Sequence, residues 1–148
     1  MMRAQPSTAG AGTDASPPAE TLPEGAPRGG ALYARHCASC HGRDGQGIGT
    51  FPPLAGAAWA TGPTDEAVRI VLNGLRGPIS VRGRSYDSLM PGLGDRLSDA
   101  EVAAVLSFVR SSWGNAADSV TVSEVREVRR RSQGRTTPWT ASELRDAP

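Results

Sequence analysis

Lysine is absent from the chain: the 16 basic side chains are all arginine, set against 15 acidic ones for a formal net charge of +1. So even a balance produces no broad positive surface, which argues against nucleic acid as a partner. The lysine gap reads first as compositional bias and only second as a docking preference, although arginine does suit bidentate carboxylate contacts better. Cysteine and histidine are also scarce, with two of each, and there are three methionines in 148 residues. Two cysteines exclude a disulfide-rich scaffold. No run is long and apolar enough to form a transmembrane segment in this chain, and the N-terminus lacks the apolar stretch of an export signal. Aromatic residues make up 5% of the chain, so the core is thin, and small domains with thin cores need a staple or a cofactor.

What is present falls into three parts. Residues 1–27 are rich in Pro, Ala, Gly, Ser and Thr and read as a disordered linker or tail, because they cannot bury enough surface to offset the entropy of ordering them. Residues 28–115 carry the apolar patterning of one small domain. Residues 116–148 read as a C-terminal extension, partly helical. Within the domain, Leu32, Tyr33, His36, Cys37 and Cys40 recur at helical spacing and predict a first helix from Gly29 to about Cys40. Thr64 is expected to cap a second helix with Val68, Val71, Leu72 and Leu75 on one face, stopped by Gly74 or Gly77. Residues 76–97, with Gly77-Pro78, Gly83, Pro91-Gly92 and Gly94, read as a long loop, and a loop of that length in a small domain is usually functional. Ser98-Asp99-Ala100-Glu101 is a capping box opening an amphipathic helix through about Ser112. Thr121 to Arg131 reads as a charged surface helix, with Arg129-Arg130-Arg131 on a solvated face, followed by a short turn near Ala141 to Leu144.

Both cysteines and one histidine fall together in Cys37-Ala38-Ser39-Cys40-His41. Two thiols at this spacing followed at once by an imidazole match covalent c-type haem attachment. A dithiol redox pair is the competing reading, but it needs a strand-then-helix setting and leaves His41 unexplained. A zinc site would need His36, Cys37, Cys40 and His41 to converge on one tetrahedron, which near neighbours in sequence cannot do. Elimination supplies the second axial ligand to iron. Met1 and Met2 lie in the tail, and His36 adjoins Cys37 and cannot reach the far face of a ring anchored there. Met90, in the long loop, is the remaining soft neutral donor; alone it would read as an ordinary core methionine, and beside this motif it reads as the ligand. The glycine-rich run from Gly42 to Gly49 lets backbone approach a flat group, while Pro52, Pro53 and Leu54 cover it. Tyr86 is a candidate contact to the haem or its propionates, whereas Trp59 and Trp113 read as packing. Arg82 and Arg84 either pair with propionates or an acidic partner or form a solvated loop face.

CASCHGRDGQG, FPPLAG, the loop ending LMPGLG and LSDAEVAAVLSFVRSSWGN together resemble a class I cytochrome c over roughly residues 29–115. The resemblance implies an all-α fold, a small class I cytochrome c fold of three main helices with long haem-wrapping loops, here with a C-terminal helical extension. It implies that Gly29 and Tyr33 on the first helix meet Val105 and Phe108 on the last, and that the Pro52 carbonyl accepts the proton on the outer nitrogen of His41. The cofactor implied is one covalently attached haem c with its iron. The candidate contacts are then Cys37, Cys40, His41, Pro52, Leu54, Tyr86 and Met90, with His41 and Met90 on the metal and no catalytic residue. More narrowly, the run from Gly77-Pro78-Ile79 through Tyr86 and Met90-Pro91 to Trp113-Gly114-Asn115, with Pro138-Trp139-Thr140, resembles haem subunits or domains paired with periplasmic sugar or alcohol dehydrogenases.

The expected role is a mono-haem carrier of single electrons, since a His/Met pair raises the haem potential and favours electron transfer over oxygen chemistry. Partners of that role are an electron-donor dehydrogenase and an electron-acceptor oxidase or cytochrome, in a periplasmic or extracytoplasmic setting. The missing export signal then suggests a trimmed chain, a misassigned start or a segment of something larger. A docking patch is expected from Ala38, Ser39, Ile48 and the Pro91-Gly92-Leu93 turn. Two alternatives stand beside this role: the haem domain of a larger dehydrogenase or oxidase, and a haem enzyme with a displaceable methionine ligand.

Overall fold

A computed structural model describes residues 28–146 of the chain. The expected tail over residues 1–27 lies outside the described residues. In chain order the elements are helices α1 (Gly29–His36), α2 (Ala38–His41), α3 (Ala58–Thr61) and α4 (Thr64–Asn73), strands β1 (Gly74–Leu75), β2 (Ile79–Val81), β3 (Arg84–Tyr86) and β4 (Met90–Pro91), and helices α5 (Asp99–Arg110), α6 (Val122–Arg131) and α7 (Ala141–Asp146).

Local chemistry accounts for most of these boundaries. The Ser98 hydroxyl accepts from the Glu101 N–H at 3.1 Å while Glu101 Oε1 accepts from the Ser98 N–H at 2.9 Å, so α5 starts with the reciprocal cap its sequence announces. Thr121 and Glu124 do the same for α6. Helix α4 ends at Gly74, whose φ of 93° favours glycine. Its start differs from expectation: Pro63 takes the capping position, and Thr64 sits inside the helix with its hydroxyl donating to Glu124 at 3.4 Å. The first helix is also broken where one continuous run was expected. At Cys37 the backbone leaves the helical region (φ −122°, ψ −33°), and α2 is a separate single turn.

The core runs through α1, α4, α5 and α6. Tyr33, Val68, Val71, Leu72, Val102, Val105, Leu106, Val109, Val125 and Val128 are all buried in it. Gly29 is where α1 crosses α5, and the atoms nearest to a Cβ placed there are the Ala104 carbonyl oxygen and Phe108 Cβ. Tyr33, Phe108 and Trp113 stack with centroids 5.0 to 5.7 Å apart. Aromatic groups thus seal the end of this crossing.

Two expectations about the second half need correction. Residues 76–97 are not a structureless loop. β2 and β3 form a hairpin with Val81 opposite Arg84, and its two turn residues, Arg82 and Gly83, both have positive φ (53° and 82°), which is the turn geometry that matches strand twist. β4 pairs with β1, Leu75 facing Met90. The helix α6 is likewise no mere surface helix. Val125 is fully buried and Val128 nearly so, and Arg129 clasps the turn before α5, donating to Asp99 (2.7 Å), the Gly94 carbonyl (2.8 Å) and the Leu97 carbonyl (2.9 Å). Only Arg130 and Arg131 of the arginine run stay on the solvated face, paired with Glu127. Buried Arg110 at the end of α5 donates to the carbonyls of Asp118, Ala60 and Gly62, tying the extension to the chain around α3.

Candidate functional site

Between α4, α5 and the two irregular stretches lies a cavity of about 340 Å³ with an almost wholly apolar lining. Cys37, Cys40, His41, Pro52, Leu54, Tyr86 and Met90 all border it. The seven candidate residues, spread over a large part of the sequence, are therefore brought to one place. Residues that sequence reading had assigned only to helix faces also line it, Val71 and Leu75 from α4 and β1 and Val105, Leu106 and Val109 from α5, joined by Ile70, which that reading did not single out. The apolar stripe of each helix is divided between core and cavity, and hydropathy spacing does not mark where that division falls.

The thiol and imidazole groups are set by the single turn α2. Cys37 is the N-cap of this turn and Cys40 and His41 close it, and all three border the cavity. The C-terminal end of the turn is anchored twice. The Tyr33 hydroxyl donates to the Gly42 carbonyl at 2.6 Å, and the Gly47 N–H donates to the His41 carbonyl at 2.7 Å. His41 Nδ1 lies 2.7 Å from the Pro52 carbonyl oxygen. A carbonyl can only accept, so the proton sits on Nδ1 and the lone pair on Nε2. Burial holds the His41 pKa below its usual value, opposed in part by the Pro52 hydrogen bond. Burial thus favours the neutral imidazole, the form in which histidine binds a metal.

The thiols argue against disulfide exchange chemistry. Burial, with the neighbouring Cys40 adding to it, pushes the free Cys37 thiol up to about 11. A redox dithiol needs the opposite, a thiolate stabilised near neutral pH. Among the described residues, no group of three or more His, Cys, Asp and Glu side chains could hold a bare metal ion.

Met90 faces the cavity from the other sheet. Gly74 makes this possible: a Cβ there would lie 2.3 Å from the Met90 carbonyl oxygen, so the strands close up only on glycine. Ser88 donates to the Thr50 carbonyl at 3.1 Å, joining the loop before Met90 to the loop before Pro52. Tyr86 is buried at the hairpin end with the Arg84 guanidinium 5.2 Å above its ring. Arg82 donates to the Ala55 carbonyl at 3.4 Å. On the surface, the expected apolar patch changes membership. Leu93 is buried, its N–H bonded to the Val71 carbonyl, whereas Ile48 and Leu89 are exposed (48% and 58%).

An apolar cavity edged by paired thiols, an imidazole and a thioether fits an iron porphyrin in polarity and donor chemistry, since soft sulfur and imidazole nitrogen are the donors that haem iron takes. Comparison with known proteins points the same way. The family model for cytochrome c matches residues 26–113. Cytochrome c-552 from Thermus thermophilus is 41% identical over 93 residues, covering 60% of this chain and 70% of that protein. The gluconate 2-dehydrogenase cytochrome c subunit of Pantoea cypripedii is 39% identical over 108 residues, covering 69% of this chain and 24% of the subunit. The cytochrome c subunit of a quinone-type alcohol dehydrogenase from Gluconobacter oxydans (strain 621H) is 36% identical over 105 residues, covering 68% and 22%. The chain spans less than a quarter of either dehydrogenase subunit.

Proposed function

Since the chain belongs to the cytochrome c family, as a class I mono-haem electron carrier with covalently bound haem c, we propose that it relays single electrons from a dehydrogenase to an oxidase or another cytochrome outside the cytoplasm. In this reading Cys37 and Cys40 hold the haem through thioether bonds, and His41 and Met90 are the axial ligands. The iron supplies a one-electron couple. Pro52 keeps the His41 proton on Nδ1 and so leaves Nε2 free to bind and strongly basic. Leu54, Tyr86 and the apolar faces of α4 and α5 exclude water, which limits reorganisation on electron transfer and favours a raised potential.

The observation that carries the reading is that His41, held by Pro52 at 2.7 Å, and Met90 border one apolar cavity with the cysteine pair. If His41 and Met90 both bind the iron, a small ligand would have to displace one of them. Carbon monoxide added to the reduced holoprotein is expected to bind slowly and incompletely; rapid, stoichiometric binding would instead favour the haem enzyme with a displaceable methionine.

The kinship with dehydrogenase cytochrome subunits favours a donor of that class. Exposed Ile48 and Leu89 lie on the two loops joined by Ser88 and Thr50 and supply a small apolar docking patch, suited to weak, rapidly exchanging redox encounters. The same kinship supports a second reading, the haem domain of a larger polypeptide, and the mass of the native protein decides between the two.

A further inference from the structure

We propose that Trp139 and the segment around it form a latch behind Met90, a positioning device that governs how readily Met90 leaves the iron; the proposal rests on Met90 being the axial ligand.

The strand carrying Met90 is too short to hold itself. β4 has two residues, and its ladder partner is the equally short β1, whereas isolated two-stranded pairs are marginal even when longer. The other edge of β1 is filled from the far end of the chain. Leu75 pairs in parallel with Trp139; the Trp139 N–H donates to the Gly74 carbonyl at 2.9 Å, and the Arg76 N–H donates to the Trp139 carbonyl at 2.8 Å. β1 is therefore clamped on both sides, with Met90 across from Leu75 on one and Trp139 on the other.

Side chains repeat the arrangement. Leu144 on α7, 2% exposed, forms a cluster with Ile70 and Leu75, and Met90 and Trp139 pack against it. This cluster is separate from the main core. The side chain of Met90 is thus backed by residues of the C-terminal segment. Trp139 is itself fixed from several directions. Its indole N–H donates to Asn73 Oδ1 at 3.3 Å, and the Arg135 guanidinium lies 3.6 Å over its ring while also donating to Glu143 and the Pro138 carbonyl. Thr140 and Glu143 close a reciprocal cap at the start of α7. So many restraints on one side chain exceed what joining a tail to the surface requires; they make the β1 edge rigid, and with it the strand opposite.

A latch of this kind acts on local opening rather than on global unfolding. The test uses ferric holoprotein and imidazole as the competing ligand, following loss of the methionine-to-iron charge-transfer band. Trp139→Ala is expected to keep the band at rest and to speed displacement by about tenfold or more, as loss of a large packed side chain from a local opening unit implies. Leu144→Ala, which leaves the Trp139 ring and its contacts in place, should give a smaller increase in the same direction. Val125→Ala, which opens a hole in the core under α6, is the comparison: its denaturant midpoint should fall while the displacement rate stays at the wild-type value. An unchanged rate in both latch variants, or an equal acceleration in Val125→Ala at equal loss of stability, overturns the latch. A band that survives Met90→Ala removes the ligand assignment and the latch with it, whereas a band lost in Met90→Ala with normal exchange in the latch variants overturns the latch alone.

Discussion

Gly29 and Ala104 touch through their backbones: a methyl group added at Gly29 would sit 2.2 Å from the Ala104 carbonyl oxygen and 2.7 Å from Phe108 Cβ. α1 carries the cysteine turn and α5 walls the cavity, so this crossing sets the distance between attachment segment and wall. Gly29→Ala is expected to force the helices apart and cost about 1–3 kcal/mol, the usual penalty of overpacking. At Gly30 the nearest atom to an added Cβ is Phe108 Cε1 at 3.3 Å, on a side chain that can give way. Gly30→Ala is therefore expected to be near neutral, because relief of the helix penalty of glycine offsets the tighter contact. Denaturant midpoints of the two variants check the contrast.

Tyr33 and Gly42 form the second fixed point of the attachment turn. Tyr33→Phe leaves the Gly42 carbonyl without its donor and should cost about 1–3 kcal/mol. Burial, reinforced by Cys37 and Asp44, pushes the phenol up to about 12 from 10.0. Because the folded state raises this pKa, the contribution of Tyr33 is complete below pH 10 and is lost as pH rises through 12. Wild type should lose stability over that window more steeply than Tyr33→Phe; parallel profiles would contradict the assignment.

The Pro52 carbonyl can be displaced without touching Pro52. Gly47 has φ +83°, and a Cβ there would lie 2.7 Å from the Phe51 carbonyl oxygen and 2.9 Å from the Pro52 carbonyl carbon. Gly47→Ala is expected to cost about 1–3 kcal/mol in backbone strain. It should also pull the carbonyl from His41 Nδ1, making the imidazole less basic and raising the reduction potential. A redox titration reads this directly, and a lower stability with an unchanged potential would count against a role for the Pro52 bond in tuning.

Haem c was legible because its signal is local, with Cys37, Cys40 and His41 contiguous, and Met90, proposed by elimination, borders the same cavity. The helices at residues 64–73 and 99–110 follow from apolar spacing and terminal residues. The hairpin from Ile79 to Tyr86 was not legible, because Gly77-Pro78 and Gly83 carry a turn signal and the turn itself, Arg82-Gly83, has arginine where asparagine or glycine marks such turns. Burial of α6 escaped notice since Val125 and Val128 are few among charges, yet two valines suffice when Val120, α4 and α5 supply the facing surface. Pairing of Trp139 with Leu75 leaves no local trace at all, for it depends on which edge of β1 the fold leaves open.

Cavity size sets the expectation for loss of the haem. An apolar space of about 340 Å³ left unfilled deprives the facing sides of α4 and α5 of their packing, a loss that a small, marginally stable domain cannot absorb. Cys37→Ala with Cys40→Ala should give a chain that is unfolded or degraded. Calorimetry checks this, and a cooperative, native-like transition in the haem-free variant would contradict it.

The central claim, that Met90 opposes His41 on a low-spin iron, is tested most directly by the visible spectrum and redox titration of the holoprotein and its Met90→Ala variant. Wild type should show the weak methionine-to-iron charge-transfer band, and the variant should lose it and fall to a lower potential. An unchanged band and an unchanged potential in Met90→Ala would contradict the account.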